Sequence, residues 1–158
     1  DALATEGNPE AIEFPKALSE PGNFEFSFSG LKSAVLNYLN SKQQKNESIN
    51  QADVAASFQK AIVDVLVEKT KDAAHTLGES RITIAGGVSA NKGLQKALEA
   101  MCEKEGFTYY EPHKILSTDN AAMIGCRAYY MAQAGKFADL TLNAKPSVEI
   151  GYVSWKED

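Results

Sequence analysis

The stretch from Arg81 to Ala134 constrains the fold more than any other part of the chain. It opens on RITIA, a short apolar and β-branched run of strand length (Arg81 to Ala85). Gly86 and Gly87 interrupt it. A helical pattern then runs from Asn91 to Lys104, with Leu94, Ala97, Leu98 and Met101 on one face and Gly106 as its stop. Phe107 to Tyr110 reads as a second strand, closed by Pro112, and a last helix spans Thr118 to about Ala134, stopped by Gly135. Strand, helix, strand, helix in this order predicts a right-handed crossover with two parallel strands. Ligands of such sheets sit beyond the carboxyl ends of the strands. Two loops fall there, AGGVSAN and EPHKILSTDN.

Upstream, Gly7, Pro9, Pro15, Pro21 and Gly22 make the first 23 residues an irregular lead-in with a helical turn at its start. FEFSFS (Phe24 to Ser29) alternates aromatic and polar residues, which predicts a half-buried strand with Phe24, Phe26 and Phe28 on one face. Ser29 and Gly30 open a helix striped by Leu31, Ala34, Val35, Tyr38 and Leu39. Ser41 to Gln51 is polar, without periodicity, and reads as a mobile connection. The longest helix follows, Gln51 to Leu77, with Phe58, Ala61, Ile62, Val65 and Leu66 as its stripe and Gly78 as its stop. Val148 to Val153 reads as an edge strand. The fold class is α/β, in a chain of 158 residues whose 44% hydrophobic and 23% charged content suits one globular domain.

No apolar run approaches a bilayer-spanning length, and DALATEGNPE has neither the basic nor the apolar region of a secretory signal. The absence of an initial Met fits a piece of a longer protein. A net charge of −5 does not hold a polyanion by its average field, so contact with nucleic acid needs a local basic patch or a partner. Lys42, Lys45, Lys69 and Lys71 read as a solvated face. Cys102 and Cys126 form no CxxC and have no His at ligand spacing. Inside helical patterns they read as small buried hydrophobes rather than a disulfide, which favours a cytoplasmic home.

Each loop admits two readings. Gly86 and Gly87 let backbone approach a ligand, the start of the next helix favours an anion, and Asn91 can bond a ribose hydroxyl, a base edge or a phosphate. Equally, the glycines make a turn and Ser89 or Asn91 caps the helix. The loop is neither a Walker A sequence nor a GxGxxG fingerprint. In STDNAAM, Thr118 or Asp119 caps the last helix, or Asp119 gives a metal an oxygen ligand. One carboxylate needs further ligands, typically histidines. His75 lies late in the long helix, structural or exposed, and His113 lies six residues before Asp119.

FSFSGLKSAV (Phe26 to Val35), ADVAASFQKAIVDVLVEKT (Ala52 to Thr70), AGGVSANKGL (Ala85 to Leu94) and STDNAAMIG (Ser117 to Gly125) together resemble the carboxy-terminal part of the bacterial tRNA N6-adenosine threonylcarbamoyltransferase family, formerly labelled O-sialoglycoprotein endopeptidase or glycoprotease. The resemblance runs from about Asp1 to Gly135. It implies an actin-like, Hsp70-like ATPase fold, of which this chain is a helix-rich carboxy-terminal lobe fragment with a small, partly parallel sheet, a single partial domain over residues 1–158. It implies transfer of a threonylcarbamoyl group from threonylcarbamoyl-AMP to N6 of the adenosine beside the anticodon of ANN-decoding tRNAs. The family's asparagine falls on Asn91, against the nucleotide-like substrate, with Gly86 and Gly87 holding the adenylate end. Its metal-binding aspartate falls on Asp119, a ligand of one divalent ion, iron or zinc. Ser117 and Thr118 stand where a family cysteine often precedes that motif. The family's HxxxH histidine pair, its SGGH phosphate loop and a second substrate-binding aspartate have no match here, so the fragment alone is expected to lack activity.

The implied partners are threonylcarbamoyl-AMP, tRNA, a paralogous subunit, an ATPase and a carbamoyl-adenylate synthase of the same pathway, in the cytoplasm and without a membrane. No residue stands out as general base. The competing classes are a metal-dependent glycoprotein endopeptidase, a non-catalytic scaffold and an actin-like sugar kinase or ATPase. Against the first, the sequence holds no HExxH and no activated thiolate or Ser-His-Asp set.

Overall fold

In a computed structural model the described residues are 1–16, 22–144 and 146–147. The chain divides into two compact units, Asp1–Thr118 and Asp119–Asp158. In the first, a 3-10 turn (Leu3–Glu6) is followed by α1 (Ser29–Gln44), α2 (Gln51–Leu77), β1 (Arg81–Thr83), a 3-10 turn (Gly87–Ala90), α3 (Lys92–Glu105), β2 (Thr108–Tyr110) and a 3-10 turn (Lys114–Leu116). The second holds α4 (Ala121–Gln133). β1 and β2 pair in parallel, Arg81 opposite Thr108 and Thr83 opposite Tyr110, with α3 between them in sequence. The chain is therefore helix-rich α/β with a small parallel sheet, as the periodicity predicts.

The helices begin and end where side chains and glycines satisfy their terminal backbone groups. The Asn50 side chain accepts from the Ala52 and Asp53 amides at 3.0 and 3.4 Å and opens α2. Gly78 and Gly106, at φ 67° and 73°, close α2 and α3 in the left-handed conformation, and the Glu79 and Phe107 amides donate back to the Ala74 and Cys102 carbonyls. Ala74 of α2, Ile82 of β1 and Leu94, Leu98, Met101 and Cys102 of α3 form the buried core beneath the sheet. A fully buried side chain of Leu or Met size contributes about 1.5–3 kcal/mol. A second cluster joins Phe14, Leu31 and Ala61, with the Phe14 and Tyr38 rings edge to face at 6.1 Å.

Several expectations give way. Phe24 to Ser29 is not a strand, and Ser29 already belongs to α1. The Phe26 and Phe28 rings stack at 6.4 Å. A ladder needs a neighbouring edge, and among the described residues the only sheet is β1 with β2. The connection expected to be mobile shrinks to residues 45–50, because α1 continues to Gln44 without needing apolar residues in its last turn, and the Glu47 amide still donates to the Lys42 carbonyl at 2.9 Å. Lys69 is buried, its ammonium donating to the Asn23 carbonyl and lying 5.9 Å from the Phe26 ring, partners that replace water for a charge on α2's inner side. Cys102 is buried as expected, and burial pushes its thiol pKa up; Cys126 is exposed, and both are free thiols. α4 is mostly apolar, with Arg127 and Gln133 as its polar residues, and none of its residues is buried. The expected strand at Val148 to Val153 lies outside the described residues.

The lead-in is held by the polar side of α2. The Asn8 amide donates to Asp53 Oδ1 at 2.8 Å, Ser57 Oγ donates to the Asn8 carbonyl at 3.3 Å, and the Ile12 amide donates to Ser57 Oγ at 3.1 Å. Further along, Asp64 pairs with Lys60 at 2.7 Å and Lys16 at 3.0 Å. Burial raises the Asp64 carboxyl, but the hydrogen bonds and charges of Lys60 and Lys16 outweigh it and hold its pKa below the ordinary 3.8. A depressed folded-state pKa contributes stability that is present above pH 3.8 and lost as pH falls through the folded value. Asp64→Asn is therefore expected to lower stability at neutral pH by about 0.2–1 kcal/mol, the range for partly exposed pairs. Urea titrations of parent and variant should converge below pH 3.8; a constant difference down to acid pH refutes the assignment.

Candidate functional site

β1 hands the chain to Gly86 through Ile84, whose amide still donates to the Tyr110 carbonyl at 3.1 Å. Gly86 sits at φ 87° and ψ 171°, a region open essentially to glycine alone. A methyl group added at Gly86 or Gly87 would meet nothing within 4 Å, so the exposed backbone of both glycines borders open space. The turn is braced from beneath. Buried Ser89 donates to the Gly86 carbonyl through Oγ at 2.6 Å and through its amide at 3.0 Å, and its own carbonyl accepts from Gln95 Nε2 at 2.9 Å.

Asn91 closes the loop as the cap of α3. Its Oδ1 accepts from the Leu94 amide at 2.9 Å, and its Nδ2 donates to Gln59 Oε1 of α2 at 2.9 Å. The Lys92 amide is taken by Asp1 Oδ2 at 3.2 Å. The expected anion site at free amides of α3 is thus narrowed, because the chain's own side chains occupy two of those donors. Asn91 keeps one amide hydrogen and one acceptor lone pair. Beside it lies a cavity of about 210 Å³ lined by Phe58, Gln59, Ile62, Val88, Asn91 and Leu94. Its volume is below the roughly 300–1,000 Å³ of pockets that enclose a whole drug-sized ligand, so it suits one end of a larger molecule.

Asp119 belongs to the second unit, exposed, one residue before the cap of α4. The cap is neither Thr118 nor Asp119. Asn120 Oδ1 accepts from the Met123 amide at 3.1 Å, so Asp119 is not needed to start the helix. His75 pairs with Glu105 at 2.9 Å and lies against the Phe107 ring at 5.2 Å, joining the ends of α2 and α3; His113 is exposed. Among the described residues no three His, Cys, Asp or Glu side chains are placed to hold a metal together. One carboxylate does not make a metal site, so these residues do not by themselves fit the implied ion. No helix among the described residues is long and apolar enough to cross a membrane.

Gly86, Gly87 and Asn91 are brought together on one loop at the carboxyl end of β1. Gln59, Gly93 and Asp1, which surround Asn91, escape a reading by motif. The signal for Gln59 is a polar residue at helical spacing between Ala55 and Val63, inside an apolar stripe.

A parallel strand–helix–strand unit that delivers a glycine turn and a capped asparagine beside a small apolar cavity defines an α/β protein with an open loop at its strand ends. Residues 1–126 match the family model described as tRNA N6-adenosine threonylcarbamoyltransferase. The chain is 50% identical over 151 residues to the protein of that name from Clostridium botulinum strain 657, and 51% identical over 150 residues to the one from Clostridioides difficile strain 630. It is also 50% identical over 151 residues to the one from Clostridium perfringens strain SM101. These alignments cover 95–96% of this chain and 44% of each relative, so the chain spans less than half the length of the curated relatives it matches. The chain belongs to the tRNA N6-adenosine threonylcarbamoyltransferase family.

Proposed function

We propose that the chain is the carboxy-terminal portion of an actin-like transferase that moves a threonylcarbamoyl group from threonylcarbamoyl-AMP to N6 of the anticodon-adjacent adenosine in ANN-decoding tRNAs. The family match over residues 1–126 carries this reading. In it, the open backbone at Gly86 and Gly87 and the free amide hydrogen of Asn91 hold the adenylate end. N6 of the tRNA adenine attacks the carbamoyl carbon, a proton leaves N6, and the bond to the AMP phosphate oxygen breaks. Asp119 would give one oxygen to a divalent ion, iron or zinc, only together with further ligands supplied by the rest of the protein. A net charge of −5 leaves tRNA docking to a basic patch or to partner proteins, a paralogous subunit and an ATPase, in the cytoplasm.

The test is threonylcarbamoylation of an ANN-decoding tRNA by the whole protein supplied with threonylcarbamoyl-AMP. The whole protein is expected to be active and residues 1–158 alone inactive. Asn91→Ser keeps an oxygen for capping α3 but loses the amide, and should lower kcat/KM for the adenylate about tenfold, the worth of one hydrogen bond near a charged ligand. Activity of residues 1–158 alone, or an unchanged Asn91→Ser enzyme, would overturn the reading.

A further inference from the structure

We propose that Gln59, far from Asn91 in sequence, is the residue that positions the Asn91 side chain for its ligand. This rests on the reading that Asn91 touches the adenylate. A carboxamide has two chemically different ends, and the cap fixes only one of them: Oδ1 is held by the Leu94 amide at 2.9 Å. A single bond leaves the amide plane free to swing about its oxygen. The second bond, from Nδ2 to Gln59 Oε1 at 2.9 Å, removes that freedom. With one amide hydrogen spent on Gln59 and the oxygen anchored on α3, the direction of the remaining hydrogen is set. A ligand then meets a donor that is already aimed, which saves the ordering it would otherwise impose.

Gly93 supports this assignment independently. It lies in the first turn of α3, at no positive φ, so the backbone does not require glycine there. Glycine also weakens a helix relative to alanine. A larger residue there would push the Gln59 amide aside: a Cβ at Gly93 would stand 2.6 Å from Gln59 Nε2, 3.1 Å from its Cδ and 3.2 Å from Asn91 Oδ1. The missing side chain is the room in which the Gln59 amide reaches Asn91. Gln59 itself is half-buried on the apolar side of α2, where a polar group is costly unless bonded. Its bond to Asn91 satisfies it and ties α2 to the ligand loop.

The experiment uses the whole protein and compares Gln59→Leu, Gly93→Ala, their double variant and Asn91→Ser. The readouts are KM for threonylcarbamoyl-AMP, KM for tRNA, the dissociation constant of AMP by calorimetry, and thermal unfolding. Gln59→Leu, similar in volume but unable to accept, is expected to raise KM for the adenylate and the AMP dissociation constant about three- to tenfold. KM for tRNA should stay within twofold. Gly93→Ala should reproduce the effect, and the double variant should be no worse than either single one, because both remove the same bond. Gly93→Ala also serves as the probe if Gln59→Leu does not fold. If Asn91→Ser weakens AMP binding and neither other variant does, the positioning role is overturned while the role of Asn91 stands. If Asn91→Ser leaves AMP binding unchanged, the reading of Asn91 falls and the inference with it. A loss shared equally by adenylate and tRNA, with a lowered unfolding temperature, assigns Gln59 to packing and also overturns the proposal.

Discussion

Replacing Leu98 by alanine is expected to destabilise the first unit by about 2–5 kcal/mol, the cost of deleting a buried leucine and leaving a cavity. Leu98 is 3% exposed and belongs to the buried cluster where α2, β1 and α3 meet, together with Ala74, Ile82, Leu94, Met101 and Cys102. Those neighbours belong to three elements, and closing the hole would require the sheet and both helices to move together. Little collapse is therefore available, which puts the effect toward the upper part of the range. Two comparisons make the result specific. Leu98→Met conserves volume and should cost under about 1.5 kcal/mol. Lys96→Ala, two residues away and exposed, should fall within about 0.5 kcal/mol of parent. Urea unfolding reads all three as a shift of midpoint at constant slope. A Leu98→Ala midpoint indistinguishable from that of Lys96→Ala would show that the sheet does not pack on α3 as described.

Gly7→Ala is expected to destabilise by about 1–3 kcal/mol through overpacking, a large effect for one methyl group outside any helix or strand. Gly7 has φ −101° and ψ 166°, which any residue adopts, so backbone strain is not the cause. Its Cβ would overlap the Ala52 carbonyl and come within 2.7 Å of the Asp53 nitrogen. Both are backbone atoms in the first turn of α2, and neither can rotate away. Relief requires the lead-in to lift off α2, which strains the Asn8 to Asp53 bond and the pair of bonds at buried Ser57. Gly87→Ala is the matching control, with no positive φ and nothing within 4 Å of the added methyl, and its stability should stay within about 0.5 kcal/mol of parent. Equal unfolding temperatures for the two variants would refute the close approach at Gly7.

Much of the fold was legible because the deciding signals are local. α2 begins at Gln51 and ends at Leu77 as read, since Asn50 caps it and Gly78 stops it within a few residues of the chain's own periodic stripe. The parallel pairing of β1 with β2 follows from the length of the crossover between them. The misreadings have a common origin. FEFSFS alternates as a strand does, but a strand is a relation between two segments, and alternation in one says nothing of the other. Lys69 reads as solvated because its type usually is; its burial depends on the carbonyl of Asn23, 46 residues away. Asn120 takes the cap of α4 because capping is decided by backbone geometry, and three successive residues, Thr118, Asp119 and Asn120, were all chemically able.

The sequence by itself determined the helices, the parallel strand pair, the glycine turn with its asparagine, and through four ordered segments the family. Each of these is written in residues close together in the chain, where periodicity and turn chemistry act. The tertiary structure alone decided what surrounds Asn91. Gln59 lies 32 residues before it and Asp1 lies 91 residues before Lys92, and no spacing rule connects them. They meet because α2 packs against α3 and the lead-in folds back over α2. The bonds that hold the Asn91 side chain depend on that packing, and packing joins residues without regard to their distance along the chain.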